Sequence, residues 1–353
     1  MVLTRPFFYW IPREGDPVKI VHQIEGETLD YLPGKKILYL SWSELRDALC
    51  ASLKNVKKLA MEYSPMGAIP DVSVVDGGTL DLIREKNIEV MSSADLLQVF
   101  TSILSDQQIQ SHLEASAVIE KTLEKAWDFL TRRVREGGKV TEYDVQQLIL
   151  SEFTANNCIS EEGPTCSVNE HTAYPHYLAT RDLCKTIEKG DFVLIDLWCK
   201  KNIPNGVYAD ITRVAILAPE PTPRLQNIFE IVKEARDAGI DLIRKKFYKK
   251  EELTGAAVDI ACRGVIKKAG YGRYFTHRTG HNIDINVHGS GVHLDNLETL
   301  DERQILPKTC FSIEPGIYLK GEFGVRLETN LIIKADRTVE ITGGLQEAIL
   351  CLV

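Results

Sequence analysis

The sequence predicts an α+β protein in which a domain with an internal twofold repeat, residues 106–353, follows a smaller α/β domain, residues 1–105. Three observations support this fold class. Before residue 105, short apolar strands alternate with helical stretches, which is typical of a sheet that carries helices. After residue 105 a long amphipathic helical pattern begins. Beyond it, one order of helices, a histidine-bearing segment and acid-bearing strands occurs twice.

The first domain is predicted from its alternating pattern. The chain has 353 residues, enough for two domains and a sizeable core. We find no glycine-rich phosphate loop and no cluster of catalytic residue types in this part of the sequence. The predicted strands are residues 7–12, 17–24, 35–42 and 57–64, and the predicted helices are residues 43–54, 78–87 and 93–104.

Four helices of the second domain are predicted from start and stop signals. Ser105 can cap the first helix, and Asp144 is placed to complete a capping box with Thr141 at the start of the second. Pro223 opens the third, since proline suits the first helical position. The predicted spans are residues 105–137, 141–156, 222–247 and 251–269.

Each helix pair is followed by two apolar strands that carry one acid each. The two acids are 14 residues apart in both halves, which supports an internal repeat. A further β-like piece, residues 172–180, precedes the first pair, and a histidine-bearing segment, residues 279–289, precedes the second. The strands and their acids are residues 191–198 with Asp196, 207–217 with Asp210, 310–319 with Glu314 and 323–333 with Glu328.

Composition argues against several classes of function. The net charge of −8 disfavours nucleic acid or an anionic membrane as the main partner. The eight cysteines are scattered without a C-x-x-C pair, which favours reduced thiols over a disulfide framework or a structural zinc site. The N-terminal apolar patch is too short for a signal peptide, and no stretch reaches the length of a membrane span. These features predict a cytoplasmic protein.

The four acids of the repeat lie in apolar, strand-like surroundings. A lone carboxylate in a buried strand, such as Glu314, is costly unless it is paired, protonated or bound to a metal. One such acid would ordinarily pair with a base or face solvent, but the nearby bases are few, namely Arg213 and Arg326. Four carboxylates that met without cations would repel one another and stay protonated. The pattern therefore favours a pair of divalent metal ions.

Histidines are concentrated just before the acid-bearing strands. A small neighbour, Gly280, leaves room for an imidazole at a crowded centre. A single histidine is more often a satisfied core or surface residue than a ligand, and an exposed loop is the favoured interpretation for the last of this series. The clustered histidines are His277, His281, His288 and His293, and His171 and His176 precede the first acid pair.

These residues, in this order and with these neighbours, resemble the motifs of the pita-bread (M24) metallopeptidases. That family includes aminopeptidase P, prolidase and methionine aminopeptidase. The resemblance covers about residues 106–353, and residues 1–105 resemble the N-terminal domain of the creatinase, prolidase and aminopeptidase P branch. The matching segments are His176 in YPHY, Asp196 in VLIDLW, Asp210 in VYADITRV, His281 in TGHNIDINVH, Glu314 in SIEPGIY and Glu328 in GVRLET.

The resemblance implies a dinuclear metal site. Asp196 would chelate one ion, His281 and Glu314 would bind the second, and Asp210 and Glu328 would bridge both. Mn²⁺ is the expected ion, with Co²⁺ or Zn²⁺ as alternatives for an oxygen-rich set with one imidazole. A metal-activated hydroxide would hydrolyse the bond between an N-terminal residue and proline, as in an Xaa-Pro aminopeptidase or an Xaa-Pro dipeptidase.

The resemblance also implies roles for further side chains. Glu314 would pass a proton to the leaving nitrogen. His176 and His288 would line the cleft and hydrogen-bond the substrate carbonyl or the developing oxyanion. Arg326 would orient a carboxylate, although a surface ion pair explains it equally well at this point. Thr212 is expected to support a carboxylate in the same way.

Some positions differ from the family pattern. The family usually has Asp-x-Gly at the first acid, where this chain has Asp196, Leu197 and Trp198, and the hairpin to the second acid is longer. Gly289 stands where the family often has an acid after the second histidine. Two other functions stay open, a metal-using lyase-type enzyme on the same fold and a non-catalytic binding member. The expected partners are a peptide substrate and a second copy of the chain in a homodimer.

Overall fold

The computed structural model describes residues 4–353 and contains two compact units. Residues 1–3, part of the predicted first domain, lie outside the described residues. The first unit is formed by residues 4–65 and 72–93, and the second by residues 66–71 and 94–353. The sequence pattern changes at residue 105, whereas the compact units part after Ser93, so the helix that follows Ser93 groups with the second unit.

The first unit has two small sheets rather than the single open sheet that its alternating pattern suggests. Strands β1 and β2 are antiparallel, β2 and β3 are parallel, and β4 pairs in parallel with β5, a strand that was not predicted. Helix α1 begins with a capping box between Ser41 and Glu44. The elements are β1 (Phe8–Trp10), β2 (Val18–His22), β3 (Lys35–Tyr39), α1 (Trp42–Ser52), β4 (Lys58–Met61), α2 (Gly77–Glu85) and β5 (Glu89–Ser92).

The helices of the second unit start where their caps predict. Ser105 forms a capping box with Gln108, and Thr141 forms one with Asp144. The last helix begins at Gly255 rather than residue 251, because Thr254 caps it and its side chain accepts the Ala257 N–H. The helices are α3 (Ala94–Thr101), α4 (Asp106–Arg135), α5 (Glu142–Ala155), α6 (Pro223–Tyr248) and α7 (Gly255–Lys268).

The strands of the second unit form two main sheets and a hairpin. The first sheet has the order β16, β9, β8, β6, with β7 also paired to β8; the second has the order β10, β11, β14, β15; and β12 pairs with β13. The strands are β6 (Cys158–Ile159), β7 (Thr165–Val168), β8 (Phe192–Lys201), β9 (Ala209–Ile216), β10 (Asn282–Ile283), β11 (Cys310–Ile313), β12 (Gly316–Leu319), β13 (Phe323–Arg326), β14 (Thr329–Ile333), β15 (Val339–Thr342) and β16 (Leu350–Cys351).

The two halves of this unit repeat one packing arrangement. Helices α4 and α5 cover one face of β8 and β9, with Ile119, Ile149 and Ile195 in a shared core. Helices α6 and α7 pack in the same way on β11 and β14, where Ile243 and Leu331 belong to one cluster. In each half the acid-bearing strands lie beneath a helix pair, which leaves the other face of the strands for a site.

Three predicted strands need correction. Residues 172–180 are no strand, because a 3₁₀ helix, Asn169–Ala173, is followed by irregular chain that contains Pro175, and the strand of this region is β7 instead. The predicted strand 310–319 breaks between β11 and β12, and the predicted strand 323–333 breaks between β13 and β14.

Between residues 4 and 353, we find no helix that is both long and apolar enough to cross a membrane.

Candidate active site

The inner part of the site is a cluster of two carboxylates and one imidazole. Ligand atoms of Asp210, His281 and Glu328 all lie within 4.8 Å of one another. The closest approach of Asp210 Oδ2 to His281 Nε2 is 3.7 Å. All three side chains are buried. Carboxylate oxygens and an imidazole nitrogen at such separations are a donor set that suits a divalent cation.

Strand alternation places the first two acids on the same face. In β8, Ile195 and Leu197 point into the core beneath α4 and α5, so Asp196 between them points to the opposite face. In β9, Ile211 points into the same core and Asp210 points away from it. Both aspartate side chains therefore lie on the face of the sheet that α4 and α5 do not cover.

The glutamates of the second half reach the site from breaks in their strands. Glu314 lies between β11 and β12, and Glu328 lies between β13 and β14. The backbone N–H of Glu328 donates to Thr212 O at 3.3 Å, and Thr212 Oγ1 donates to the Glu328 carboxylate at 2.7 Å. The second half thus pairs with β9 of the first half at this point, which brings glutamates and aspartates together.

His281 presents one ring nitrogen to the acids. Its Nδ1 lies 3.2 Å from Asn282 O, so Nδ1 carries the hydrogen and Nε2 keeps a lone pair. Nε2 is 3.4 Å from Glu314 Oε1. Burial lowers the pKa of His281 well below its usual range, and His288 and Arg278 act in the same direction. A neutral imidazole with a free lone pair is the form that binds metals.

Two carboxylate oxygens at the centre lack a partner within residues 4–353. They are Asp210 Oδ1 and Glu328 Oε1, both buried. Burial raises the pKa of both carboxyls well above the usual range, and the neighbouring acids raise it further. Unpaired buried oxygens of this kind are rare in proteins. A bound cation would satisfy both, so the residues present fit the divalent ions that the sequence predicts.

Arg326 is buried beside the acids, so its interpretation as a surface ion pair is wrong. Its guanidinium contacts the Asp196 carboxylate, Nε donates to Thr212 Oγ1 at 3.0 Å, and Nη1 donates to Tyr318 OH at 3.2 Å. Glu314 Oε2 lies 4.0 Å from Nε. One cation therefore fixes the orientation of Asp196 and lies next to Glu314, and Thr212 supports a carboxylate as expected.

Tyr318 and His277 form a hydrogen-bonded chain that ends on Arg326. His277 Nδ1 donates to Arg278 O at 2.7 Å, so the Tyr318 hydroxyl donates to His277 Nε2, also at 2.7 Å. The Tyr318 oxygen is then free to accept from Arg326. Sequence reasoning missed Tyr318, because one aromatic residue in an apolar strand gives no signal. His277 was noticed within the histidine cluster, but its partner could not be inferred.

The two outer histidines lie on irregular segments. The His288 ring stands perpendicular to the His281 ring, with 4.4 Å between centroids. His288 is exposed overall, but its neighbours shield part of the ring from water and, together with the charges of Arg278 and His176, lower its pKa. The His176 side chain is exposed on the segment after the 3₁₀ helix. The structure thus places His288 against His281, and among residues 4–353 it gives no contact between His176 and the acids.

The prediction that His293 lies in an exposed loop is wrong, because its side chain is buried. Its Nδ1 accepts a hydrogen bond from the backbone N–H of Asn282 at 3.2 Å. Burial lowers the pKa of His293 to about 3, so its imidazole is neutral. This histidine supports the backbone next to His281.

A repeated fold whose halves together surround a buried set of acids and one imidazole has the ligands of a divalent-metal site. The family model described as metallopeptidase family M24 matches residues 110–335. The chain belongs to metallopeptidase family M24, which implies divalent metal ions as cofactors.

Named relatives agree with the family. An Xaa-Pro dipeptidase of Pyrococcus furiosus is 27% identical over 300 residues, which cover 84% of this chain and 76% of that protein. A Mycoplasma genitalium protein, provisionally named an Xaa-Pro aminopeptidase, is 26% identical over 235 residues. That match covers 65% of this chain and 62% of the Mycoplasma protein, so less than two thirds of that relative is spanned.

Solved structures share the fold. The prolidase of Thermococcus sibiricus matches 99% of this chain and 88% of its own, with a TM-score of 0.59 and 23% identity. The dipeptidase PepE of Mycobacterium ulcerans matches 98% and 86%, with a TM-score of 0.65 and 20% identity. These likenesses confirm the predicted pita-bread fold.

Proposed function

We propose that this chain is a metal-dependent exopeptidase that hydrolyses the bond between an N-terminal residue and proline. Membership of family M24 and the names of the relatives support this function. The observation that carries it is the pair of buried, unpartnered oxygens, Asp210 Oδ1 and Glu328 Oε1, beside the lone pair of His281 Nε2. The dipeptidase and the aminopeptidase forms both stay open, because the relatives carry both names.

Two divalent ions would be held by the five predicted ligands. Mn²⁺ is the proposed ion, with Co²⁺ or Zn²⁺ as alternatives. Divalent ions in such a site lower the pKa of water and polarise a peptide carbonyl. The proposed ligands are Asp196, Asp210, His281, Glu314 and Glu328.

The chain's own side chains would position the substrate and move a proton. Without a bound metal ion, burial raises the pKa of Glu314 to about 7. In the proposed reaction Glu314 would pass a proton to the leaving nitrogen. His176 and His288 would hydrogen-bond the substrate carbonyl or the developing oxyanion. Arg326 would hold Asp196 in place through its direct contact.

No observation on residues 4–353 favours the lyase-type or the non-catalytic alternative, and the retained acids argue against a member that has lost its ligands. A homodimer, a cytoplasmic location and the lack of nucleic-acid or membrane partners stay predictions from the sequence. So does the assignment of residues 1–105 to the creatinase and prolidase type of N-terminal domain.

The test uses the purified chain with Mn²⁺ and two substrates, an Xaa-Pro dipeptide and an Xaa-Pro-Yaa-Zaa tetrapeptide. Release of the free N-terminal amino acid is measured for the natural chain and for Asp210→Asn. Cleavage that disappears in the variant supports the proposal, and the preferred substrate length distinguishes the two forms. A natural chain that binds metal but cleaves neither substrate would overturn it.

A further inference from the structure

The turn that carries His288 is not fixed by regular secondary structure. Only Asn282 and Ile283 of this segment belong to a strand, and residues 284–291 are irregular. Nevertheless the His288 ring lies edge-on against the His281 ring, with 4.4 Å between centroids. A backbone bond, from Gly289 N–H to Asn282 O at 2.8 Å, holds part of this turn, and side chains supply further hydrogen bonds that fix its geometry.

A buried carboxylate closes the turn. Asp284 Oδ1 accepts the backbone N–H of Asn286 at 2.7 Å, and Asp284 Oδ2 accepts the backbone N–H of Ser290 at 3.1 Å. These two N–H groups lie two residues to either side of His288. Asp284 is itself 6% exposed, so its contacts face little competition from water.

Further contacts pin the far end of the same turn. Asn282 Oδ1 accepts the N–H of Gly291 at 2.9 Å, and Arg303 donates to Ser290 O at 2.9 Å and to Gly291 O at 2.7 Å. The residues after His288 are thus fixed on both sides. Asp284 is the group whose hydrogen bonds span His288 itself.

The same geometry explains why Gly289 replaces the acid that is frequent in the family. A Cβ on Gly289 would collide with Asn282 Oδ1 and lie 2.6 Å from Asp284 Oδ2. No side chain fits at residue 289 while Asp284 keeps its place. In this chain the carboxylate next to the second histidine comes from residue 284.

We propose that Asp284 is a positioning residue for His288: its buried carboxylate fixes the turn and so sets where the His288 imidazole meets the substrate. The kinetic consequence rests on the proposed peptidase function. The structural consequence does not, because the placement of the imidazole can be observed without substrate.

The kinetic test is a double-mutant cycle in the Mn²⁺-loaded full chain with Asp284→Asn, His288→Gln and both together. The amide keeps one oxygen but turns an NH₂ group against a backbone N–H. Asp284→Asn is expected to lower kcat and kcat/KM by about 10- to 100-fold in the natural background, and by less than about 2-fold with His288→Gln. Equal losses in both backgrounds would show a general structural role and overturn the proposal.

Asp295 provides a matched control. It is also a buried loop carboxylate, and it accepts the backbone N–H groups of Leu297, Glu298 and Thr299 without contact to the turn of His288. Asp295→Asn is expected to lower the thermal midpoint while kcat/KM stays within about 3-fold. If it reduces activity as much as Asp284→Asn, loop loosening in general is responsible and the proposal fails.

An NMR measurement decides the question without catalysis. In ¹³Cε1-histidine-labelled protein, with His288 assigned through His288→Gln, Asp284→Asn should shift the His288 signal and leave the His22 signal in place. Gly289→Ala, whose Cβ would push on the Asp284 carboxylate and on Asn282 Oδ1, is the second variant if Asp284→Asn folds poorly, and it should shift the same signal. An unmoved His288 signal in the folded variant overturns the proposal, whether or not the natural chain cleaves peptides.

Discussion

The two halves of the repeated unit bring their acids to one centre by different backbones. Asp196 and Asp210 lie inside uninterrupted strands of ten and eight residues. Glu314 and Glu328 lie where strands break. The short aspartates suffice because β8 and β9 pass directly beneath the site. The second half leaves its own sheet at the breaks, and there Glu328 N–H pairs with Thr212 O of the first half.

The four acids also differ in whether a positively charged side chain pairs with them. Asp196 has a buried cation partner in Arg326, which comes from the other half. Asp210 and Glu328, one from each half, keep an oxygen without a partner among residues 4–353. The carboxylate oxygens that a metal cation would neutralise therefore lie where the two halves meet. This contact region, in which Asp210 and Thr212 of the first half face Glu328 of the second, is called the seam. Each half alone supplies only two of the four acids, so the complete set of carboxylates requires both halves.

The largest expected effect separates the paired acid from an unpaired one. Asp196→Asn and Glu328→Gln should each lower kcat/KM by about 1,000-fold or more. In chelator-treated protein their thermal midpoints should move in opposite directions. Glu328→Gln should raise the midpoint, because one buried carboxyl no longer opposes its neighbours, and Asp196→Asn should lower it, because Arg326 loses its partner. If calorimetry shows both thermal midpoints moving in the same direction, the conclusion that Asp196 is charge-paired and Glu328 is not would be contradicted.

The next effect concerns His112, which joins the halves. Its Nδ1 donates to Tyr208 O at 2.6 Å, and its Nε2 accepts from Thr342 Oγ1 at 2.7 Å. Burial lowers its pKa to about 4, below the unfolded value of 6.5. The unfolded chain therefore takes up the proton first as the pH falls, so this contribution is complete above pH 6.5 and is lost as the pH falls towards 4. The loss is about 3 kcal/mol.

Urea unfolding of the metal-free protein between pH 7.5 and pH 4 measures this. The free energy of unfolding of His112→Gln should decline less steeply with falling pH than that of the natural chain. Parallel curves for the two proteins would show that His112 does not report on the seam.

Asn330 is expected to give a smaller loss of stability. Its Oδ1 accepts the Asp210 N–H at 2.8 Å and its Nδ2 donates to Asp210 O at 2.7 Å, so it ties β14 to β9. Asn330→Ala leaves two buried backbone groups unpaired and should cost about 2 kcal/mol in the free energy of unfolding. Asn156→Ala, which removes an exposed bond to Glu152 O within one half, should cost less than about 1 kcal/mol. Equal costs would argue against a special role of the seam.

Pro315→Ala is expected to change least. Proline suits a strand break because it lacks an N–H, yet the contacts of Glu328 with Thr212 hold the second half in place independently. The variant should lose at most about 1 kcal/mol in stability and keep kcat/KM within about 3-fold. A loss of activity greater than tenfold would show that the proline ring, rather than the contacts across the seam, sets the break.

The sequence by itself determined the long helices of the second unit and the order of the ligand types. Helix starts at Ser105, Thr141 and Thr222 follow from capping side chains within three residues of the start, which is a local property of the chain. The equal spacing of the acids exposed the repeat. The six motifs from His176 to Glu328, taken together and in order, indicated the family, because they combine residue type with immediate neighbours.

The tertiary structure decided which of these groups meet and which stay unpaired. Thr212 and Glu328 are 116 residues apart in sequence, and Arg326 and Asp196 are 130 apart. No local pattern encodes such pairs, because they depend on how two sheets approach each other. The strand break before Glu328 and the turn closed by Asp284 have the same origin. At the break before Glu328 the apolar run favours a continuous strand, and the hydrogen bond to Thr212 overrides that preference, whereas Pro315 is a local signal for the break after Glu314.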